Sequence, residues 1–409
     1  MSKVDSRHAA GRQAGMRRAG QRDDVRHSVN RRIRRRGAAT GRHSVVRAQN
    51  RNGRQAKNRR PHRLSARWRR SRRGRPMAIL RGERWRPDES WHLRGFRDGA
   101  AWRAAHPDAA AEDMREALQS HLRTAFPPAA PPSALRGASG AERILRAARR
   151  YGDGFMNGAA LSAPVVPVPL QGTAAAVVCA GPDEGALRAV LEQLERLPLR
   201  EWVVVLFGDA RPASDVAGRF ARSVIVHAEG PPNRDVGLAL GAGRTRADIV
   251  LFVDGEQPVP AETLARFLLA CDRRLDVALN SRLSEAVKFH RRSQTDWLHQ
   301  FLNLTLGRPD LGIRSLAVLP FALSRKALDV IGADALAVPV KAHARAILHG
   351  LHIGSGGSIP RRETFDANRL RLVAGDYLET WREAMAERGG RLTFPDRWRN
   401  RDAAGGTIP

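Results

Sequence analysis

The chain has 409 residues and is 42% hydrophobic, enough for a buried core and for two or three domains. Its formal charge of +30 is lopsided: residues 1–76 hold 26 Lys and Arg against 3 acids, while the remaining 333 residues sum to +7. Two cysteines exclude a disulfide framework or a cysteine-based zinc site, and no apolar run approaches the roughly 18 residues of a transmembrane helix.

Residues 1–76 are rich in Arg, Gly, Ser and Asn with almost no apolar periodicity, so a disordered basic segment is expected. It reads either as an arm for nucleic acid or anionic lipid, or as the product of translation from a start upstream of Met77, where the composition changes. Trp68 is its single aromatic, which disfavours nucleic acid because single strands need stacking platforms. The charged start is followed by no apolar stretch, so no secretory signal is expected and the cytoplasm is the expected compartment, with peripheral membrane contact left open.

Residues 77–170 read as a helical extension and linker. Met114, Leu118 and Leu122 recur at helical spacing within Ala110–Ala125, PPAAPP (127–132) is a linker, and Ser139–Arg150 is a second helix. The segments GFRDGAAW (95–102) and YGDGFMNGAA (151–160) echo each other, though two copies do not make a repeat.

Residues 171–358 alternate between strand and helix patterns. Strands are predicted at Ala174–Cys179, Trp202–Phe207, Ser223–His227, Ile249–Val253 and Leu275–Asn280. Helices are predicted at Glu184–Leu197, Val216–Ala221, Val236–Arg246 and Ala261–Arg273. Such alternation means βαβ units, hence an α/β fold with a mostly parallel, Rossmann-like sheet and helices on both faces. Beyond it follow a helix at Asp296–Leu306, a strand at Leu316–Leu323, helices at Arg325–Ile331 and Val340–Gly350, and a strand or turn at Leu351–Gly354. Residues 359–409 form a polar tail with one helix at Tyr377–Glu387.

The chemistry centres on ADIVLFVDGE (247–256), a doubly buried strand running into Asp254-Gly255-Glu256. Ligands gather at the carboxyl ends of such strands, and two carboxylates there suit a hard cation, Mg2+ or Mn2+, shared with substrate phosphates. The competing reading is a turn with a solvated Glu256. After the first strand, Asp183 or Glu184 either caps the next helix or meets a nucleoside. In NRDVGLALGAGRTR (233–246), helix–sheet packing accounts for the glycines, and Arg234, Arg244 and Arg246 face phosphate or solvent. The C-terminal histidines have no zinc spacing; His343, with Lys341 on one helix, is a weak candidate for acceptor or phosphate contact.

The order VVCAGPDEGALRAVLEQL, EWVVVLFGDA, NRDVGLALGAGRTRADIVLFVDGE resembles the nucleotide-binding half of family 2 glycosyltransferases, which have the GT-A fold. The resemblance covers Ala174–Asp272 well and 316–332 weakly. It implies that Asp183 and Glu184 hold the nucleoside, and that Asp254 and Glu256 stand where the family's DxD holds the metal. The family's acidic pair after the second strand is replaced by Leu206-Phe207, leaving Asp209 as the nearest substitute. The later Asp that serves inverting members as general base has no counterpart in LAVPVKAHARAILHG (336–350), leaving Asp310 and Glu285 as stand-ins. The resemblance therefore implies a metal-assisted transfer from a nucleoside diphosphate sugar, with a UDP-sugar as the leading donor, to a hydroxyl acceptor. Arg234 is a further expected substrate contact. The alternatives are a degenerate member that binds without transfer, and a nucleic-acid binder acting through the basic arm.

Overall fold

The structure is a computed structural model that describes residues 88–128, 138–181, 183–208, 210–230, 233–281, 292–360 and 367–394. The predicted basic arm, Asp209 and Glu285 lie outside the described residues. Three helices come first: α1 (Asp88–Ala105), α2 (Ala111–Ala125) and α3 (Ala138–Ala159). The alternating region follows as β1 (Ala174–Cys179), α4 (Glu184–Glu195), β2 (Glu201–Phe207), α5 (Arg211–Gly218), β3 (Ser223–Ala228), α6 (Arg234–Arg244), β4 (Ile249–Asp254), α7 (Ala261–Arg273) and β5 (Val277–Asn280). The chain continues through α8 (Gln294–Thr305), β6 (Phe321–Ser324), α9 (Arg325–Ile331), α10 (Pro339–Leu348), β7 (Ile353–Gly357) and α11 (Ala367–Arg388).

The seven strands form one sheet in the order β3-β2-β1-β4-β6-β5-β7. β6 runs antiparallel to both its neighbours, and all other pairings are parallel. Alternate residues feed two cores. Ala176, Val178, Val204 and Leu251 pack on one face with α4 and α7, while Val177, Val203, Val205 and Phe252 pack on the other with α6, α9 and α10. This double coverage is why β1, β2 and β4 read as unbroken apolar runs. The architecture is the α/β, mostly parallel sheet with helices on both faces that the sequence predicts.

The predicted faces of two helices are the buried ones: Met114, Leu118 and Leu122 on α2, and Leu187, Val190, Leu191 and Leu194 on α4. Boundaries differ where local chemistry competes. α5 starts earlier than predicted, with Pro212 in its first turn, where its missing N–H is not needed. β6 begins only after Pro320, which has no N–H for a ladder. β7 extends into the glycines of IGSGG, because the Phe267 ring packs where side chains at Gly356 and Gly357 would stand.

α3 continues nine residues past its predicted end, through three glycines. The two echoing segments explain this. A Cβ on Gly95 or Gly99 would overlap the carbonyl oxygens of Tyr151 and Phe155, and one on Gly154 or Gly158 would overlap those of His92 and Phe96. Partner numbers rise together, so α1 and α3 run parallel in backbone contact, each contributing the same Gly-x-x-x-Gly face. Among the described residues no helix is long and apolar enough to cross a membrane.

Candidate active site at the carboxyl ends of the strands

The site begins with register. β1 lies between β2 and β4, and Cys179 is paired with Asp254, so the turns leaving β1 and β4 are neighbours. The Gly255 N–H donates to the Cys179 carbonyl at 3.1 Å, and a Cβ on Gly255 would stand 2.5 Å from that oxygen. Only glycine lets the β4 turn lie this closely on β1. The Glu256 side chain then crosses to Gly181, covering the space that a Cβ there would need. The Glu256 N–H closes the turn by donating to Asp254 Oδ1 at 3.1 Å.

α6 delivers a cation to the same place. Asn233 caps it, its Oδ1 accepting from the N–H groups of Asp235 (3.1 Å) and Val236 (3.2 Å). A Cβ on Gly237 would sit 2.6 Å from Cys179 Sγ, and one on Gly241 would overlap Val177. The packing reading of these glycines therefore holds: they seat α6 on β1. That seating brings Arg234 Nη1 to 3.9 Å from Asp254 Oδ2 and Arg234 Nε to 3.3 Å from Asp235 Oδ1. The Arg234 and Asp254 side chains are only 20% and 18% exposed.

The other predicted residues fall as follows. Asp183 caps α4, its Oδ1 accepting from the Ala186 N–H at 3.0 Å, and Glu184 is exposed in the first turn. Both stand at the carboxyl end of β1, beside the Asp254 turn. Asp310 is on a short turn between α8 and β6, gripped at both oxygens by Arg308 at 2.8 and 2.9 Å. Hydrogen bonding to that guanidinium holds its carboxyl below the usual carboxylate range, which makes it a weak base. Arg314 ties Asp310 to Ser281, at the end of β5 rather than of β4.

His343 is buried, its Nε2 2.8 Å from Asn303 Oδ1, and Lys341 is paired with Glu379 and Glu383 of α11 at 2.5 and 2.8 Å. Neither is presented to the Asp254 turn by these contacts. Burial pushes the Cys179 thiol up to about 12, so it is an inert apolar contact beneath α6.

Two acids were not singled out in the sequence. Asp235 stands in the first turn of α6 beside Arg234. Asp376, on α11, is pushed above the usual carboxylate range by burial and then by the charge of Asp235 and Glu379, with Lys341 opposing. Asp235 was visible as an acid after a capping Asn, whereas Asp376 depends on how α11 folds back. Among the described residues no group of three or more His, Cys, Asp or Glu side chains is disposed to hold a metal ion.

No protein-family model matches the chain, and no curated protein matches it. Among solved structures, glucosyl-3-phosphoglycerate synthase from Mycobacterium tuberculosis, described in complex with Mn2+, UDP and phosphoglyceric acid, is 15% identical with a TM-score of 0.41. The match covers 56% of this chain and 81% of that one. Mannosyl-3-phosphoglycerate synthase from Rubrobacter xylanophilus is 13% identical with a TM-score of 0.39, over 56% of this chain and 79% of that one. 4-diphosphocytidyl-2C-methyl-D-erythritolsynthase from Anaerococcus prevotii is 14% identical with a TM-score of 0.33, over 51% and 96%. These likenesses are partial and concern the path of the chain.

Proposed function

We propose that the carboxyl edge of β1 and β4 binds a nucleoside diphosphate sugar and supports transfer of the sugar to a hydroxyl acceptor. One observation carries the reading: glycine presses the Asp254-Gly255-Glu256 turn onto β1, Glu256 reaches Gly181 in the turn that leads to Asp183 and Glu184, and Arg234 is 3.9 Å from Asp254. Carboxylates and a guanidinium at this edge of a parallel sheet suit a diphosphate.

The donor set fits Mg2+ or Mn2+ of the kind held by one or two carboxylates and completed by substrate phosphates, rather than a cage made by protein alone. Asp254 and Glu256 would hold it, and the ion would supply charge neutralisation at the departing diphosphate. Arg234 would contact the phosphates once Asp254 is so engaged. Asp183 has one oxygen committed to its helix cap, leaving the other and Glu184 for ribose or base. Asp376 feels the charge of Asp235, the partner of Arg234, and burial and that charge raise its proton affinity where that of Asp310 is lowered, so Asp376 rather than Asp310 would accept the acceptor's proton.

A second reading, binding without transfer, is favoured by the ion-paired state of Asp310. Calorimetry of UDP with Mn2+, run beside a donor-hydrolysis assay, separates the two. Mn2+-dependent UDP binding that is lost in Asp254→Ala is expected for both. Turnover in the wild type, reduced at least tenfold in Asp376→Asn, supports transfer. UDP binding that ignores both Mn2+ and Asp254→Ala would sink the proposal.

A further inference from the structure

The opposite end of the sheet holds a cavity. The segments entering β1, β2 and β3 meet one face of α2 around this cavity of about 330 Å3. That is at the low end of ligand pockets, which run from about 300 to 1,000 Å3. Half-buried Val165 and Pro198 give it an apolar lining, backed by the buried Leu118, Leu122, Val166 and Leu199. Its rim carries Arg115, Arg123, Arg196, Arg200 and Arg222 against Glu112 and Glu116, an excess of three positive charges. No lining residue is shared with the Asp254 edge.

The arginines are not equivalent. Arg123 donates to the Leu170 carbonyl, and Arg196 is paired with Glu262 outside the cavity. Arg115 and Arg222, from α2 and the entry to β3, also donate to backbone carbonyls, those of Glu195 and Leu199, but in addition converge on one carboxylate. Arg115 Nη1 is 3.5 Å from Glu112 Oε2, and Arg222 Nη2 is paired with Oε1. The two guanidinium side chains are 14% and 25% exposed, and burial lowers the proton affinity of both. The Glu112 side chain between them is 56% exposed. Partly desolvated guanidiniums need an anion, whereas an exposed glutamate on the first turn of a helix can swing into water at little cost. Glu112 thus occupies the place of an external anion, next to empty apolar volume.

We propose that this cavity binds a small organic anion whose phosphate or carboxylate displaces Glu112 between Arg115 and Arg222, with its apolar body against Val165 and Pro198. The probes are 1-naphthyl phosphate, 1-naphthoate, 1-naphthol and inorganic phosphate, titrated into the full chain by calorimetry. One of the two naphthyl anions is expected to bind at least tenfold more tightly than naphthol or phosphate alone, and which one does so identifies the head group. Glu112→Ala, an exposed change that keeps the fold, removes the internal competitor and should tighten binding several-fold. Arg222→Gln should weaken it at least tenfold, with the urea midpoint as the folding control, while Asp254→Ala leaves it unchanged. Equal affinity for naphthol and the anions, no tightening in Glu112→Ala, or loss in Asp254→Ala would each overturn the assignment. None of these outcomes bears on UDP binding at the other edge.

Discussion

His343 makes the fold sensitive to mild acid in a way that can be calculated. The side chain is 1% exposed, and burial, followed by the charges of His299 and Arg308, lowers its pKa to about 3. In the unfolded chain it titrates near the ordinary value of about 6.5. Below that value the unfolded state takes up a proton that the folded state refuses, so stability is fully present above about 6.5 and falls as pH drops toward 3. Each pH unit inside this window costs about 1.4 kcal/mol, which gives about 2 kcal/mol between pH 7 and pH 5. Urea unfolding at pH 7, 6 and 5 reads the change. His343→Gln keeps an amide near Asn303 and removes the titration, so its stability should be lower at pH 7 but flatter with pH by about 2 kcal/mol. If the wild type and His343→Gln lose stability in parallel between pH 7 and 5, His343 is not held neutral and the burial argument is wrong.

Two glycines of α6 should respond oppositely to alanine. Gly241→Ala drives a methyl into Val177 and should destabilise by about 1–3 kcal/mol, whereas nothing stands within 4 Å of a Cβ on Gly243, so Gly243→Ala should stabilise by up to about 1 kcal/mol. Denaturant midpoints for the pair test both signs. Gly154→Ala should separate α1 from α3 because its methyl meets the backbone at His92, and limited proteolysis should then cleave within 88–159 while the sheet stays intact. Asp183→Ala removes the α4 cap and should cost about 1 kcal/mol in urea unfolding. A fall in UDP affinity beyond that expected from lost stability would show that the second oxygen meets the nucleoside.

The strands were legible because their burial on two faces leaves a plain signal: β1, β2 and β4 are apolar at every interior position. That Asp254 ends a buried strand was legible for the same reason, but its pairing beside the β1 turn was not, because strand order depends on how distant segments meet. The end of α3 was hidden because its contact with α1 uses glycine, which reads locally as a helix breaker and becomes favourable only when a second glycine face meets it. β7 was obscured similarly by glycines that make room for Phe267. Asp376 could not be read as part of a site, since its proton affinity is set by burial and by Asp235, which is 141 positions earlier in the chain. The sequence exposes what depends on one strand or turn, and conceals what depends on two distant segments meeting.

The ion pair at 3.9 Å bears on how the Asp254 site would load. Two unit charges at this distance attract by about 4 kcal/mol at an effective dielectric constant of about 20, before the cost of desolvation. A divalent cation held by Asp254 would have to overcome that attraction and would also repel Arg234. A diphosphate bound with it would relieve the conflict by giving the guanidinium new acceptors in place of Asp254. The cation and the diphosphate should therefore bind cooperatively, each weakly alone. Arg234→Gln separates their contributions: Mn2+ alone should bind more tightly than in the wild type, while the gain in Mn2+ affinity on adding UDP should shrink. If Arg234→Gln left Mn2+ affinity unchanged with and without UDP, Arg234 would have no part in the site.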